Sequence, residues 1–393
     1  MGSKIVIALD AFKGGMTAPE VCAAVARGLR AVDPDLQLCQ KPMADGGEGT
    51  AAALLSARKG GEWIPVRVKG SLPGQDVEAG YAWFPDTRCA VVEMAVANGL
   101  PLLRETERDP LQASTFGSGE LIRAATRKGA ERILFAIGGS ATIDGGTGAA
   151  MALGGRFLNA AGTPVPLGGG HLGEIAQVVA PANTTLPPIS VLCDVTNPLC
   201  GEEGAAVVFG PQKGATETTI PIFDEGLRNL ARVVRRCLGV DIERIPGAGA
   251  AGGLGGGAVA FMNATLSPGI DTLMKVSGLH DALSDADWAV TGEGSFDNQS
   301  LDGKVVSGVA RLARAAGVPV VVMAGRVLAD SERFRRHGIV EALPTHAPEM
   351  PMAEVLRREA ELLEQTAADW WRRRLDFGLA GIGNGKTQGT EPL

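Results

Sequence analysis

The chain has 393 residues, of which 45% are hydrophobic and 21% charged, and its formal net charge is −7. That is enough chain for two domains, and an acidic balance without a basic block excludes the electrostatic footprint of a nucleic-acid binder. Four scattered histidines and six cysteines with no CxxC pair argue against a zinc site or a disulfide framework, and no apolar run reaches the ~18 residues of a membrane span, so the cytoplasm is the expected setting.

Fifty-five glycines and only 4% aromatic residues favour α/β architecture with many tight turns. Residues 5–9 read as a buried strand that delivers Asp10 at its carboxyl end. The chain turns over Ala11 to Gly15, and Thr17 with Glu20 forms a capping box that opens a helix to about residue 29. Lys13 therefore falls between a strand end and a helix start, where a lysine can touch phosphate. A solvated loop lysine is the commoner case.

Residues 36–43 read as the next strand, running into Ala44-Asp45-Gly46-Gly47-Glu48-Gly49-Thr50 and an alanine-rich helix to about residue 59. Two acids in a glycine turn at a strand end are poorly explained by packing; ligands of open α/β sheets bind at such ends. Segments 65–69, 77–84 and 89–95 alternate as antiparallel strands do, and mark the start of an inserted domain. Ser114 to Glu120 then precedes a helix.

The apolar run 133–137 reads as a buried strand that breaks at Gly138-Gly139, with a helix expected through 149–153. Strand, glycine turn and helix start bring backbone N–H groups together at the positive end of a helix dipole, a geometry that binds phosphate. Ser140 and Thr142 add hydroxyls, and Asp144 a carboxylate that could face a metal ion. The alternative is a tight connection whose glycines only permit unusual dihedrals. Strand 189–193 delivers Asp194, followed by Thr196 and Asn197; residues 204–213 read as a strand carrying Lys213; and 217–238 as a long amphipathic helix.

Gly247, Gly249 and Gly252 spell a formal GxGxxG. The residues before it are charged and end in Pro246, so no buried strand leads into the turn, and the dinucleotide reading is set aside. Close packing against a neighbouring backbone, or another phosphate, is the better account. From residue 286 strands and helices alternate again. Strand 288–291 ends in Gly292-Glu293-Gly294, with Asp297 and Lys304 beyond; helix 305–316, strand 318–323, a helix over 331–337, strand 339–343 and helix 352–374 follow. The glycine-rich tail from 377 reads as disordered. Its Gly383 to Thr387 imitates a Walker A ending, but Ala380 stands where the first glycine is required.

Together these motifs carry a resemblance. Asp10-Ala-Phe-Lys-Gly14, Ala44 to Thr50, Ser118-Gly-Glu120, Ile137-Gly-Gly-Ser-Ala-Thr142, Asp144-Gly-Gly146, Cys193-Asp-Val-Thr-Asn-Pro198, Phe209-Gly-Pro-Gln-Lys-Gly214, Gly247 to Gly256 and Thr291-Gly-Glu-Gly294 with Asp297 and Lys304 resemble, in order, the type I glycerate kinase family. The resemblance implies ATP-dependent phosphorylation of D-glycerate, in this type usually to 2-phosphoglycerate. It implies two α/β domains: a flavodoxin-like parallel-sheet domain of residues 1–66 and 284–377, interrupted by a mixed α/β domain of 67–283, with the active site in the cleft and 378–393 as a tail.

Phosphoryl transfer needs positioning, cations, Mg²⁺ on the phosphates and a carboxylate for the attacking hydroxyl. The assignments that follow are Asp194, Asp45 and Lys13 as catalytic residues, with Asp194 as base. Asp45, Gly46, Gly47 and Glu48 are placed at the substrate. Gly138, Gly139, Ser140, Thr142, Lys213, Gly249 and Lys304 are placed at the nucleotide, and Glu293 and Asp297 at the metal. The ligands are glycerate, ATP and Mg²⁺, with no nucleic-acid or membrane partner and a homodimer as the candidate assembly. The family usually has Ser at positions 11 and 15, Asn at 143 and Arg near 295. Ala11, Gly15, Ile143 and Ser295 therefore keep a kinase for another small hydroxy acid in view, beside 3-phosphorylation of glycerate and, more distantly, a non-catalytic sensor of phosphorylated metabolites.

Overall fold

The structure is a computed structural model that describes residues 2–181 and 186–376. The tail and its Walker-like ending lie outside the described residues. Contacts divide the chain into two compact units, one of residues 2–45, 52–59 and 270–376, the other of 46–51 and 60–269.

The first unit is built on a five-stranded parallel sheet in the order Ile339–Pro344, Val320–Ala324, Trp288–Gly292, Lys4–Leu9, Gln37–Gln40. A strand covered on both faces must be apolar throughout, and Ile5 to Leu9 are all fully buried. Ile5, Ile7 and Leu9 pack with residues of the helices Ala18–Val32 and Met352–Asp376, while Val6 and Ala8 pack with Val305, Val306 and Val309 of the helix Val305–Ala315. Each such fully buried branched side chain contributes about 1.5–3 kcal/mol. The first helix starts where the sequence marks it: Glu20 Oε2 accepts the Thr17 N–H at 2.8 Å and its hydroxyl at 2.7 Å.

The second unit carries a six-stranded mixed sheet in the order Thr265–Ser267, Ile189–Leu192, Arg132–Ala136, Cys89–Glu93, Asp76–Phe84, Glu62–Lys69. Its first four strands are parallel and its last two pairings antiparallel. The alternating segments after residue 62 are thus one edge of a sheet that turns parallel at Cys89–Glu93. The helix Phe116–Lys128 makes the crossover to Arg132–Ala136, ending on Gly129 at φ 96°. One expectation fails. Residues 204–213 form the helix Ala205–Phe209 and the 3-10 turn Pro211–Lys213, not a strand. A five-residue apolar run has no periodicity to tell the two apart, and the Gly204 backbone, with Gly210 donating to Ala206 O, settles it as a helical turn.

Candidate active site

In the first unit, neighbouring parallel strands end side by side and present acids. Leu9 is followed by Asp10, whose N–H donates to Gly292 O at 2.9 Å, so Asp10 stands beside Gly292 and Glu293. On the other side Met43 donates to Leu9 O at 2.9 Å, which leads the chain to Asp45. Burial, with the Asp45 and Glu293 charges, pushes the Asp10 carboxyl up to about 7, against its contact with the Ala11 N–H and the pull of Lys13. Lys13 is well exposed, and its Nζ lies 3.9 Å from Asp45 Oδ2. Glu293 is held above the usual carboxylate range by burial, with the Ser300 hydroxyl, Lys304 and Lys13 pulling it back and the Asp297 charge adding to the rise. Its Oε1 is buried with no partner among the described residues.

Asp297 caps the 3-10 turn Asn298–Leu301, accepting from Gln299 N–H at 2.8 Å and Ser300 N–H at 3.1 Å. Despite partial burial, these amides and Lys304 hold it below the usual range. Lys304 precedes the helix Val305–Ala315. Among the described residues no group of three or more His, Cys, Asp or Glu side chains is arranged to hold a metal ion. At Gly15, where the family usually has a serine, a Cβ would lie 2.1 Å from the Glu359 carboxylate, which accepts the Met16 N–H at 2.7 Å.

In the second unit the carboxyl ends of Ile189–Leu192, Arg132–Ala136 and Cys89–Glu93 gather the glycine turns. Gly46, at φ 85°, sits so close to Leu192 that its Cβ would be 3.0 Å from that side chain. A Cβ on Gly138 would be 2.6 Å from Gly47 Cα. The two turns therefore touch backbone to backbone, which only glycines allow. Glu93 fixes the first of them, accepting from Gly49 N–H at 3.1 Å and from Ala51 N–H; its burial raises its pKa. Glu48 is exposed on that turn. Asp194, exposed just past Leu192, accepts the Gly269 N–H at 2.7 Å.

The second turn is locked by two buried side chains, Asp144 and Lys213. Asp144 is fully buried and accepts from Thr115 N–H and Oγ1, both at 2.8 Å, from Gly146 N–H at 3.1 Å and from Gly148 N–H at 3.2 Å. It is an anchor for the turn, not the metal-facing carboxylate expected of it. Lys213 is 2% exposed and donates to Ser140 Oγ at 2.6 Å and Thr142 O at 2.8 Å. Burial pushes its ammonium down to about 7, partly offset by Asp144. Thr142 Oγ1 is buried without a partner among the described residues.

The GxGxxG segment owes its glycines to packing. Cβ atoms on Gly249 and Gly252 would lie 2.1 Å from Pro198 O and 2.0 Å from Thr142 O. Sequence reasoning left Glu93 and Asp10 out of the site; the signal for both was an acid directly ending a buried apolar run.

Residues 5–374 match the model of the glycerate kinase family. A glycerate kinase of Halalkalibacterium halodurans is 44% identical over 366 residues, 92% of this chain and 96% of that protein. The glycerate 2-kinase of Escherichia coli is 42% identical over 342 residues, 86% and 88% of the two chains. A crystal structure from Salmonella typhimurium LT2, assigned as a glycerate kinase 2, superposes with a TM-score of 0.84 at 39% identity, over 96% of this chain and 99% of that one.

Proposed function

The chain belongs to the glycerate kinase family, and from that premise we propose that it transfers the γ-phosphoryl group of ATP to the C2 hydroxyl of D-glycerate. In the reaction the hydroxyl oxygen bonds to Pγ, the bridging bond between the β- and γ-phosphates breaks, ADP leaves and the hydroxyl proton passes to a carboxylate. Little covalent work falls to the protein; placement and charge stabilisation dominate.

The observation that carries the reading is the packing of the Gly46-Gly47 turn against Gly138, at strand ends shared with Asp194. We assign the Gly138 to Thr142 turn to the phosphates of ATP, with Ser140 as a donor; the Gly138 and Ala141 amides are taken by Gly46 O and Asn98 O. The Asp45 to Glu48 turn is assigned to glycerate and Asp194 to its hydroxyl proton, a general-base role worth about 10²–10⁴-fold. Lys13 and Lys304 supply positive charge as it develops on the transferring group. A magnesium ion brought by the nucleotide would need a carboxylate or two from this chain. Glu293, with a buried oxygen that lacks a partner, fits that role, and Asp297 is its neighbour. When bound, the ion shields charge on the phosphates. We place the enzyme in the cytoplasm, in keeping with its six free cysteines.

A second reading, a kinase for another small hydroxy acid, is favoured by Glu359 beside Gly15, since that carboxylate occupies space next to the Lys13 turn. Incubating the protein with ATP, Mg²⁺ and a panel of hydroxy acids, with the product identified by ³¹P NMR, separates the two. The proposal expects D-glycerate as the best acceptor and 2-phosphoglycerate as its product. A different preferred acid supports the second reading, and 3-phosphoglycerate overturns the regiochemistry.

A further inference from the structure

We propose that Lys213 is a positioning residue that acts on the phosphates of ATP through the hydroxyl of Ser140, without touching them itself. The inference rests on the assignment of the Gly138 to Thr142 turn to those phosphates.

The geometry is asymmetric in a useful way. In its charged form Lys213 has only donors, and in the 2.6 Å contact Ser140 Oγ is then the acceptor. The proton of Ser140 is then free to point elsewhere, and among the described residues no acceptor for it is present. A hydroxyl that accepts from an ammonium is polarised and becomes a stronger donor itself. An anionic phosphate oxygen is the partner such a proton suits. The second bond, to Thr142 O at 2.8 Å, ties the same ammonium to the turn's backbone.

The lysine is held firmly enough to do this. It ends the 3-10 turn Pro211–Lys213, and its own N–H donates to Gly210 O at 2.9 Å. Gly214 follows at φ 94°, where a Cβ would lie 2.6 Å from Arg108 O. At 2% exposure Lys213 has little surface left for direct contact with a ligand. Its charge therefore reaches the ligand at one remove.

A double-mutant cycle on binding of a non-hydrolysable ATP analogue with Mg²⁺, read by titration calorimetry, tests this. Ser140→Ala and Lys213→Met should each weaken binding by roughly 10-fold or more, the range of a hydrogen bond to a charged group. The double variant should be no more than about 2-fold worse than the weaker-binding single variant, because both remove one relay. A lysine that only stabilises the fold would lower the melting temperature and give multiplicative losses; that result overturns the relay while leaving the turn assigned to ATP. If Lys213→Met does not melt cooperatively, Lys213→Gln keeps donors without the charge. It should weaken binding in the Ser140 background and have no further effect in Ser140→Ala, and an equal effect in both overturns the relay. If Ser140→Ala and Gly139→Val both leave analogue binding unchanged, the turn does not hold the phosphates and the relay falls with that assignment.

Discussion

A Cβ on Gly252 would stand 2.0 Å from the carbonyl oxygen of Thr142, and Gly252 itself holds φ 67°. The contact pins the segment from Gly247 to Gly253 against the turn assigned to ATP, and Gly145 N–H donates back to Gly252 O at 3.0 Å. Gly252→Ala should therefore lower stability by more than the about 1–2 kcal/mol that left-handed backbone alone costs an alanine. It should also weaken ATP-analogue binding. Chemical denaturation with parallel calorimetry checks it, and a variant as stable and as tight-binding as the parent removes the coupling.

Asp10 makes stability depend on pH with a definite sign. Its carboxyl is raised from 3.8 to about 7 in the folded protein, by burial first and then by the Asp45 and Glu293 charges. The folded state thus holds this proton more tightly than the unfolded chain. The associated stability is fully present below about pH 4 and is lost as pH rises through 7. Asp10→Asn should flatten this dependence between pH 5 and 8, and gain most in melting temperature over the parent at pH 8. Melting curves across that range would show it; identical slopes for the two proteins would mean that Asp10 is not the group responsible.

Much of this was legible in the sequence where causes are local. The capping box of Thr17 and Glu20 spans three residues, and the buried strands announce themselves as apolar runs ended by an acid or a glycine. What was not legible depends on distant partners. Lys213 and Ser140 are 73 positions apart, so nothing beside Lys213 says that it is buried and bonded to that turn. Glu93 looks like the end of a strand until the Gly49 and Ala51 amides arrive from 42 or more residues earlier. The run 205–208 was too short to show period, and the GxGxxG spacing reflected backbone contacts at Pro198 and Thr142 that no local pattern encodes.

Lys13 should matter to the transfer more than to nucleotide binding. It is exposed, and its Nζ sits 3.9 Å from Asp45, the acid assigned to the hydroxy-acid turn. A mobile cation gains most as charge develops in the transition state. Lys13→Ala is expected to lower kcat/KM for the hydroxy acid by at least about 10-fold, equivalent to about 1.4 kcal/mol, and to change analogue affinity by much less. Steady-state kinetics and calorimetry together read the split. Loss of analogue binding with little change in acceptor kinetics would reverse the assignment.

Asp194 follows the strand Ile189–Leu192, which pairs with the strand leading to Gly138 and whose Leu192 lies against Gly46. The deciding measurement is kcat for D-glycerate in Asp194→Asn, taken with the dissociation constant of the ATP analogue. Asparagine keeps an oxygen for the Gly269 N–H, so the backbone contact survives while the proton acceptor is removed. A general-base role predicts a fall in kcat of about 10²–10⁴-fold with analogue affinity nearly unchanged; turnover within a few-fold of the parent would contradict it.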